Sequence, residues 1–177
     1  MNNTTFMNNT TFLPEDYKLP DNSRYMKFKD GENTFRVLSS AIIGYEYFNT
    51  NNKPVRSKTP YKAIPDDIGL DRDGKTKKIK HFWAFVIWNY ETESIQILEI
   101  TQSTIQSAIK ALVDNKKWGT PKDYDLIITR TGEGFDTEYN VMPNPHSELS
   151  EEIIEAYKNE EINLEALYAG DNPFEVK

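Results

Sequence analysis

The chain has 177 residues, of which 37% are hydrophobic and 28% charged, and its formal net charge is -7 at pH 7. This composition is ordinary for a globular domain with tails, and the presence of no Cys and two His excludes disulfides and His/Cys zinc sites. No apolar run approaches the roughly 20 residues that span a bilayer, and no basic region followed by an apolar core opens the chain, so we expect a cytoplasmic protein without membrane contact.

The chain begins with a perfect tandem repeat, MNNTTF followed by MNNTTF. Its Asn and Thr residues show no helical period and offer little apolar surface to bury. We therefore predict that residues 1–30 form a flexible leader, and we assign no function to the repeat.

The first predicted strand covers residues 33–50, a β-branched and aromatic stretch that we expect to bend at a bulge at Gly44. Strongly curled strands of this type close small barrels. Residues 51–79 are rich in Pro and Gly and are predicted to form one long loop. Residues 51–81 hold nine basic and four acidic side chains, a local charge of +5 that the whole-chain value hides.

Two strands, over residues 80–90 and 94–100, are predicted next, joined by a tight turn and followed by a helix. Ser103 and Gln106 have the spacing of a capping box at the start of that helix. Apolar side chains then recur on one helix face. They are Ile105, Ala108, Ile109, Leu112 and Val113.

Two further strands, over residues 124–130 and 135–142, are separated by a hairpin that contains Gly132 and Gly134. The order is therefore β-β-β-α-β-β. A five-stranded Greek-key barrel with a helix between its third and fourth strands, the OB fold, has this order. We predict an all-β domain of this type with one helix over residues 31–143, in which the helix closes one end of the barrel.

Aromatic side chains in two strands are candidates for stacking on unpaired bases. Side chains alternate between two faces along residues 80–90. One face is wholly apolar and is predicted to line the barrel. The other has polar residues at its ends, carries Trp83 and Phe85, and is predicted to point outward. In the first strand Tyr45 and Tyr47 share one face. The alternative is that these rings are buried, because a one-residue shift at a bulge exchanges the two faces.

Cations of the long loop and of the strands are candidates for phosphate contacts, since this loop flanks the ligand groove in an OB barrel. A charge run can also be no more than a solvated face. The candidates, with one ring among them, are Arg36, Lys53, Arg56, Lys58, Tyr61, Lys75, Lys77, Lys78, Lys80 and Arg130.

Residues 144–177 are predicted to form an acidic, partly helical tail. The tail is either a solvated appendage or a nucleic-acid mimic that lies in the basic groove and recruits replication or recombination proteins when DNA displaces it. An exposed Phe174 would be its anchor. The residues assigned to partner binding are Glu151, Glu152, Glu155, Asp171 and Phe174.

Catalytic motifs are not evident in the sequence, which has no phosphate-binding loop and no Gly-rich dinucleotide fingerprint. The acidic residues between positions 66 and 73 do not have the spacing of an EF-hand. We therefore predict no enzymatic activity, no metal and no cofactor.

The chain resembles the bacteriophage single-stranded DNA-binding proteins of OB type in four stretches: GENTFRVLSSAIIGYEYF, KHFWAFVIWNY, QILEITQSTIQSAI and WGTPKDYDLIITRTGEGFDTEYNVMP. The resemblance implies a protein that coats and protects unwound DNA in replication or recombination. It also implies an acidic tail that docks replication enzymes, although here Glu175, Val176 and Lys177 follow the aromatic residue.

Together these observations predict binding to single-stranded DNA without strong sequence preference. The alternative is a protein-interaction module of the phage replication machinery that does not itself bind DNA. The sequence leaves open whether the chain forms a homo-oligomer and whether it prefers DNA or RNA.

Overall fold

The computed structural model describes residues 12–17, 19 and 23–175, so residues 1–11 of the tandem repeat lie outside the described part. That part contains one antiparallel sheet of seven strands and a few short helices. The strands are β1 (Gly31–Val37), β2 (Ile42–Phe48), β3 (Pro54–Ser57), β4 (Lys80–Asn89), β5 (Ser94–Ile100), β6 (Asp125–Thr131) and β7 (Glu138–Pro143). The α-helices are α1 (Ser103–Asp114) and α2 (Glu151–Lys158), and single 3-10 turns cover Pro121–Asp123, Gly134–Asp136 and Leu164–Ala169.

The predicted first strand is in fact two strands, β1 and β2, which lie end to end along one edge of β4. The break covers residues 38–41, where the Leu38 N–H donates to the Val86 carbonyl at 2.9 Å. The bend therefore lies before Gly44 and not at it. Gly44 is needed for another reason, because a Cβ at this position would collide with the Ser57 carbonyl of β3.

The strand order is β3-β2-β4-β1-β6-β7, with β5 on the other edge of β4. Among the described residues no backbone pairing joins β5 to β7, so the sheet is not closed into a barrel there. Residues 23–29 lie along β5 instead. The Met26 N–H donates to the Ile97 carbonyl and the Ile97 N–H to the Arg24 carbonyl, both at 2.9 Å, and the Arg130 guanidinium donates to the Phe28 carbonyl.

The main core lies between the inner face of the sheet and α1, which buries Ile105 and Ile109. The predicted capping box is wrong, because Gln102 is the N-cap residue and makes no side-chain capping bond. Gln106 serves a different purpose, since its amide donates to the carbonyls of His81 and Ile100. It thereby fixes the start of α1 to the ends of β4 and β5.

The outer face of β4 and β5 is covered by residues 149–174, which we call the C-terminal segment. Ile153 of α2 packs with Trp88 and Val86, and Leu167 packs with Phe82 and Ala84. The prediction of a solvated tail is therefore wrong, because the apolar positions of this segment complete a second core on the outside of the sheet. No helix in the described part is long and apolar enough to cross a membrane.

Candidate nucleic-acid interface

An open cleft of about 660 Å³ lies between four parts of the chain, and we call it the basic cleft. Its walls come from the segment before β1, from the β2–β3 hairpin, from the end of β5 and from the C-terminal segment. The lining residues are Tyr25, Met26, Lys27, Asn49, Lys53, Pro54, Arg56, Glu99, Leu167, Gly170 and Asp171. Three cations thus face two carboxylates in one concave surface.

The cations of the basic cleft differ in their surroundings. Lys27 and Lys53 are exposed, so their ammonium groups can follow a flexible anion. Arg56 is nearly buried, with 10% of its side chain exposed, and its Nε and Nη2 lie 3.2 Å from Glu46 and 2.7 Å from Glu99. Arg56 is therefore a fixed charge in the wall, whereas the two lysines are mobile charges at the rim.

Glu46 is a buried carboxyl behind this wall. Burial is the largest cause that raises its pKa, and hydrogen bonding to the Glu99 carboxyl raises it further, while Arg56 acts in the opposite direction. The result is a pKa of about 8 for Glu46. Glu46 therefore keeps its proton to a higher pH than an ordinary carboxyl does.

Tyr25 presents the exposed ring of the cleft, with 37% of its surface accessible. The ring is held edge-on against Phe174 at 5.9 Å, and the Arg24 guanidinium lies 4.1 Å from the centre of the Phe174 ring. Phe174 is half-buried in this contact. The prediction of an exposed aromatic anchor is therefore wrong.

The rings predicted to stack on bases are mostly not available. Phe85 is 4% exposed and belongs to the inner core, and Trp83 packs against the same core and is half-buried. Tyr47 is 6% exposed and its hydroxyl donates to Asp67 at 2.7 Å. Tyr45 and Tyr61 are half-buried. They lie against the rings of His81 and Tyr47.

The orientation of β4 explains these errors. Its supposed interior face, which carries Phe82 and Trp88, is the face that the C-terminal segment covers. Asn89, whose polarity suggested an outward face, is buried and donates to Gln96 at 2.9 Å. Because both faces of β4 are covered, alternation does not tell which of them is inside.

Several predicted phosphate-binding cations also have structural roles. Arg36 is buried, donates to Asp125 at 2.7 Å and to Ser147 at 2.6 Å, and cannot reach a ligand. Arg130 donates to the Phe28 carbonyl, and Lys58 is exposed but pairs with Glu165 at 2.9 Å. These four contacts join parts of the chain that are distant in sequence.

The remaining loop cations do not line the basic cleft. Lys75, Lys78 and Lys80 are exposed, and the Lys77 ammonium lies 5.7 Å from the Phe48 ring and donates to Asn52. The loop itself is ordered by its own backbone pairs, Asn49 with Ile68 and Leu70 with Thr76. Of the predicted DNA-binding residues, the structure brings only Lys53 and Arg56 together in the cleft.

The acidic residues assigned to partner binding lie in two places. Glu151 and Glu152 are exposed in the first turn of α2, where carboxylates favour the helix dipole, and Glu155 is exposed one turn later. Asp171 lines the basic cleft. One carboxylate of the C-terminal segment therefore does face the cations, while the others stay on the outer surface.

Tyr25, Lys27 and Asn49 are cleft residues that the sequence interpretation missed. Residues 24–29 read Arg-Tyr-Met-Lys-Phe-Lys, in which cations alternate with large side chains. That alternation is the signal that could have identified the segment. It was hidden because the region was interpreted as part of the flexible leader.

A second cavity, of about 260 Å³, opens beside α1 and has mostly apolar walls. The accessible part of Trp83 lines it together with Phe85, Ile109 and Val113, and Lys122 lies at its side. No cluster of three or more metal-ligating side chains occurs in the described ranges.

The chain is distantly related to a probable ssDNA-binding protein of Escherichia phage T5. The two are 30% identical over an alignment of 144 residues, which covers 69% of this chain and 55% of the phage T5 protein. The chain thus spans about half the length of the curated relative that it matches. No protein-family model matches the chain, and no solved structure is significantly similar to it.

Proposed function

We propose that this chain binds single-stranded DNA along the basic cleft, without strong sequence preference, and coats unwound DNA in phage replication or recombination. The similarity to the probable ssDNA-binding protein of phage T5 carries the proposal. The cleft supports it, because Lys27 of the segment before β1 reaches the same concave surface as Lys53 and Arg56 of the β2–β3 hairpin.

The chemistry of the cleft fits a flexible polyanion. Lysine contacts to phosphates release counterions and read no sequence, and the 37% exposed ring of Tyr25 offers one face or edge for a base, where stacking is worth about 1–3 kcal/mol per base. Glu99 and Asp171 oppose binding by charge. The net effect is an affinity that depends strongly on salt.

We also propose that the sheet is an opened OB barrel. If β1 and β2 are counted as one strand, and β3 as part of the loop, the pairing of β4, β5, β6 and β7 follows the order of that fold. Residues 23–29 then occupy the position at which β5 and β7 would pair. On this interpretation the basic cleft lies beside the loop that flanks the ligand groove in OB folds.

The test is fluorescence anisotropy of labelled oligo-dT with the full chain. We expect saturable binding that weakens about 20-fold between about 50 and 200 mM salt, the change expected for roughly three phosphate contacts to a single strand. Unlabelled single-stranded DNA should compete better than duplex of the same length. Absence of binding, or equal competition by duplex, would refute the proposal.

A further inference from the structure

In the described part of the chain, one nitrogen of the Arg56 guanidinium makes no hydrogen bond. Its Nε donates to Glu46 and its Nη2 to Glu99. Nη1 has no hydrogen-bond partner among the described residues, and Arg56 lines the basic cleft. A guanidinium held in this way can offer its remaining donors to a phosphate oxygen with little loss of side-chain entropy.

The two carboxyl groups behind Arg56 are placed by the register of the sheet. Glu46 pairs with Arg56 across β2 and β3, and Glu99 pairs with Ala84 across β4 and β5. The Arg56 guanidinium lies 5.7 Å from the centre of the Phe82 ring, on the outer face of β4, and there contacts both carboxyls. Glu46 and Glu99 therefore share the one guanidinium of Arg56, and Glu46 is almost fully buried. A buried carboxyl whose charge is not fully compensated takes up a proton more readily than an exposed one.

We infer that Arg56 is the phosphate-binding residue of the basic cleft, that Glu46 and Glu99 position it, and that the net charge of these three side chains controls the affinity of the cleft for DNA. This inference rests on the proposed function. With a proton on Glu46 the triad of Arg56, Glu46 and Glu99 is neutral. Without it, the triad carries one negative charge beside the bound phosphate.

The range in which this control operates follows from the surroundings of Glu46. Its pKa of about 8 places the loss of the proton just above neutral pH. Burial also raises the pKa of Tyr25, so its hydroxyl stays neutral in this range. The other charged groups that line the cleft or pair with Glu46 across the sheet are Lys27, Lys53, Lys80 and Asp171.

His81 is the nearby side chain whose type ordinarily titrates close to neutral pH. It is adjacent to Lys80 on β4 but lies on the opposite face, where its Nδ1 is 2.8 Å from the Gly44 carbonyl. A comparison of the wild-type chain with Glu46→Gln separates its contribution, because His81 is present in both proteins.

The experiment measures the Kd for labelled oligo-dT from about pH 6 to about pH 9 at constant ionic strength. The wild-type affinity should fall about tenfold more than that of Glu46→Gln, the order expected for one extra charge a few ångströms from a phosphate after salt screening. Glu165→Gln is the matched control, because it removes an exposed carboxylate that pairs with Lys58 outside the cleft. Its pH profile should follow that of the wild type.

Calorimetry provides a second readout that needs no variant. By linkage, DNA binding near pH 8 should take up a fraction of a proton, detected as a dependence of the binding enthalpy on the ionisation enthalpy of the buffer. This uptake should vanish in Glu46→Gln. If that variant does not fold, as far-UV circular dichroism would reveal, the wild-type measurement still decides the question.

The role of Arg56 is tested in the Glu46→Gln background, because removal of the arginine alone would leave a buried carboxylate without its partner. Adding Arg56→Gln there should lower the salt slope by about 0.7, the value of one phosphate contact to a single strand. An unchanged slope would overturn the role of Arg56. Parallel pH profiles of the wild type and Glu46→Gln, or no proton uptake, would overturn the control by the carboxyl pair, whereas failure to bind at any pH would refute the proposed function as well.

Discussion

Ile153 tests whether the C-terminal segment is part of the folded domain. It is 3% exposed and packs with Trp88, Val86 and Leu38 on the outer face of the sheet. Ile153→Ala removes three carbon atoms, worth about 2.4 kcal/mol at about 0.8 kcal/mol per buried CH₂, and the cavity that remains adds to this cost. We expect the free energy of unfolding to fall by about 3 kcal/mol.

The assay is urea unfolding followed by far-UV circular dichroism and by tryptophan fluorescence, since the indole of Trp88 lies in the same cluster. Ile154→Ala is the matched control, because Ile154 is adjacent and 36% exposed, and its substitution should cost less than about 1 kcal/mol. Equal effects of the two substitutions would show that α2 does not pack in this way. A detachable tail would give almost no change for either.

Three further predictions concern the cleft and the core. Because the pKa of Glu46 is raised, the folded state binds a proton that the unfolded state has lost between about pH 4.5 and about pH 8. The free energy of unfolding should therefore fall as pH rises through this range. In urea titrations Glu46→Gln should show a smaller fall. Trp83→Ala should lower stability by about 2 kcal/mol, with oligo-dT affinity changed less than about twofold. Asp171→Asn should strengthen oligo-dT binding about threefold at low salt, because it removes a negative charge from the cleft.

Each of these predictions has a clear contrary result. Identical pH profiles of stability in the wild type and Glu46→Gln would mean that Glu46 is not protonated in the folded chain. A Trp83→Ala variant of normal stability that binds DNA ten times more weakly would show that Trp83 belongs to the DNA-binding site after all. Unchanged or weaker binding by Asp171→Asn would place Asp171 outside the field of the bound strand.

Local periodicity in the sequence was sufficient to identify most of the regular elements. The predicted strand over residues 94–100 is confirmed as β5. The predicted apolar stripe of α1 is confirmed at Ile105 and Ile109, which are buried, whereas its last member, Val113, is exposed. Both signals depend on side chains within one turn or one strand. The break between β1 and β2 was missed because Leu38, the first residue after β1, is buried like Val37 before it, so hydrophobicity does not mark the end of β1.

The orientation of β4 could not be read from its own residues. Phe82 and Phe85 lie on opposite faces and are both buried, one under the C-terminal segment and the other against α1. The covering on the outer face comes from residues some 70 positions later in the chain. The acidic composition of this segment suggested that it was solvated. Its apolar residues nevertheless have helical spacing, and one of them, Ile153, is buried against the sheet.

The basic cleft depends on contacts between distant parts of the chain. Tyr25, Lys53, Glu99 and Asp171 meet there from four separate regions. The number of cations in the long loop indicated a positive charge but not the surface that these cations face. Arg56 is held by Glu46 and Glu99, and nothing in the sequence associated either carboxylate with it. Such pairings depend on strand register, which hydrophobic patterns alone did not determine here.

The most direct test of DNA binding in the cleft is to compare two double variants by oligo-dT anisotropy over a range of salt. The double variant Lys27→Gln/Lys53→Gln removes the exposed cations of the basic cleft. The control, Lys116→Gln/Lys117→Gln, removes two exposed lysines that follow α1 and do not line the cleft. We predict that the first pair weakens binding about tenfold and lowers the salt slope by about 1.4, the value of two phosphate contacts, while the second pair changes little. Equal effects of the two pairs would contradict binding in the cleft.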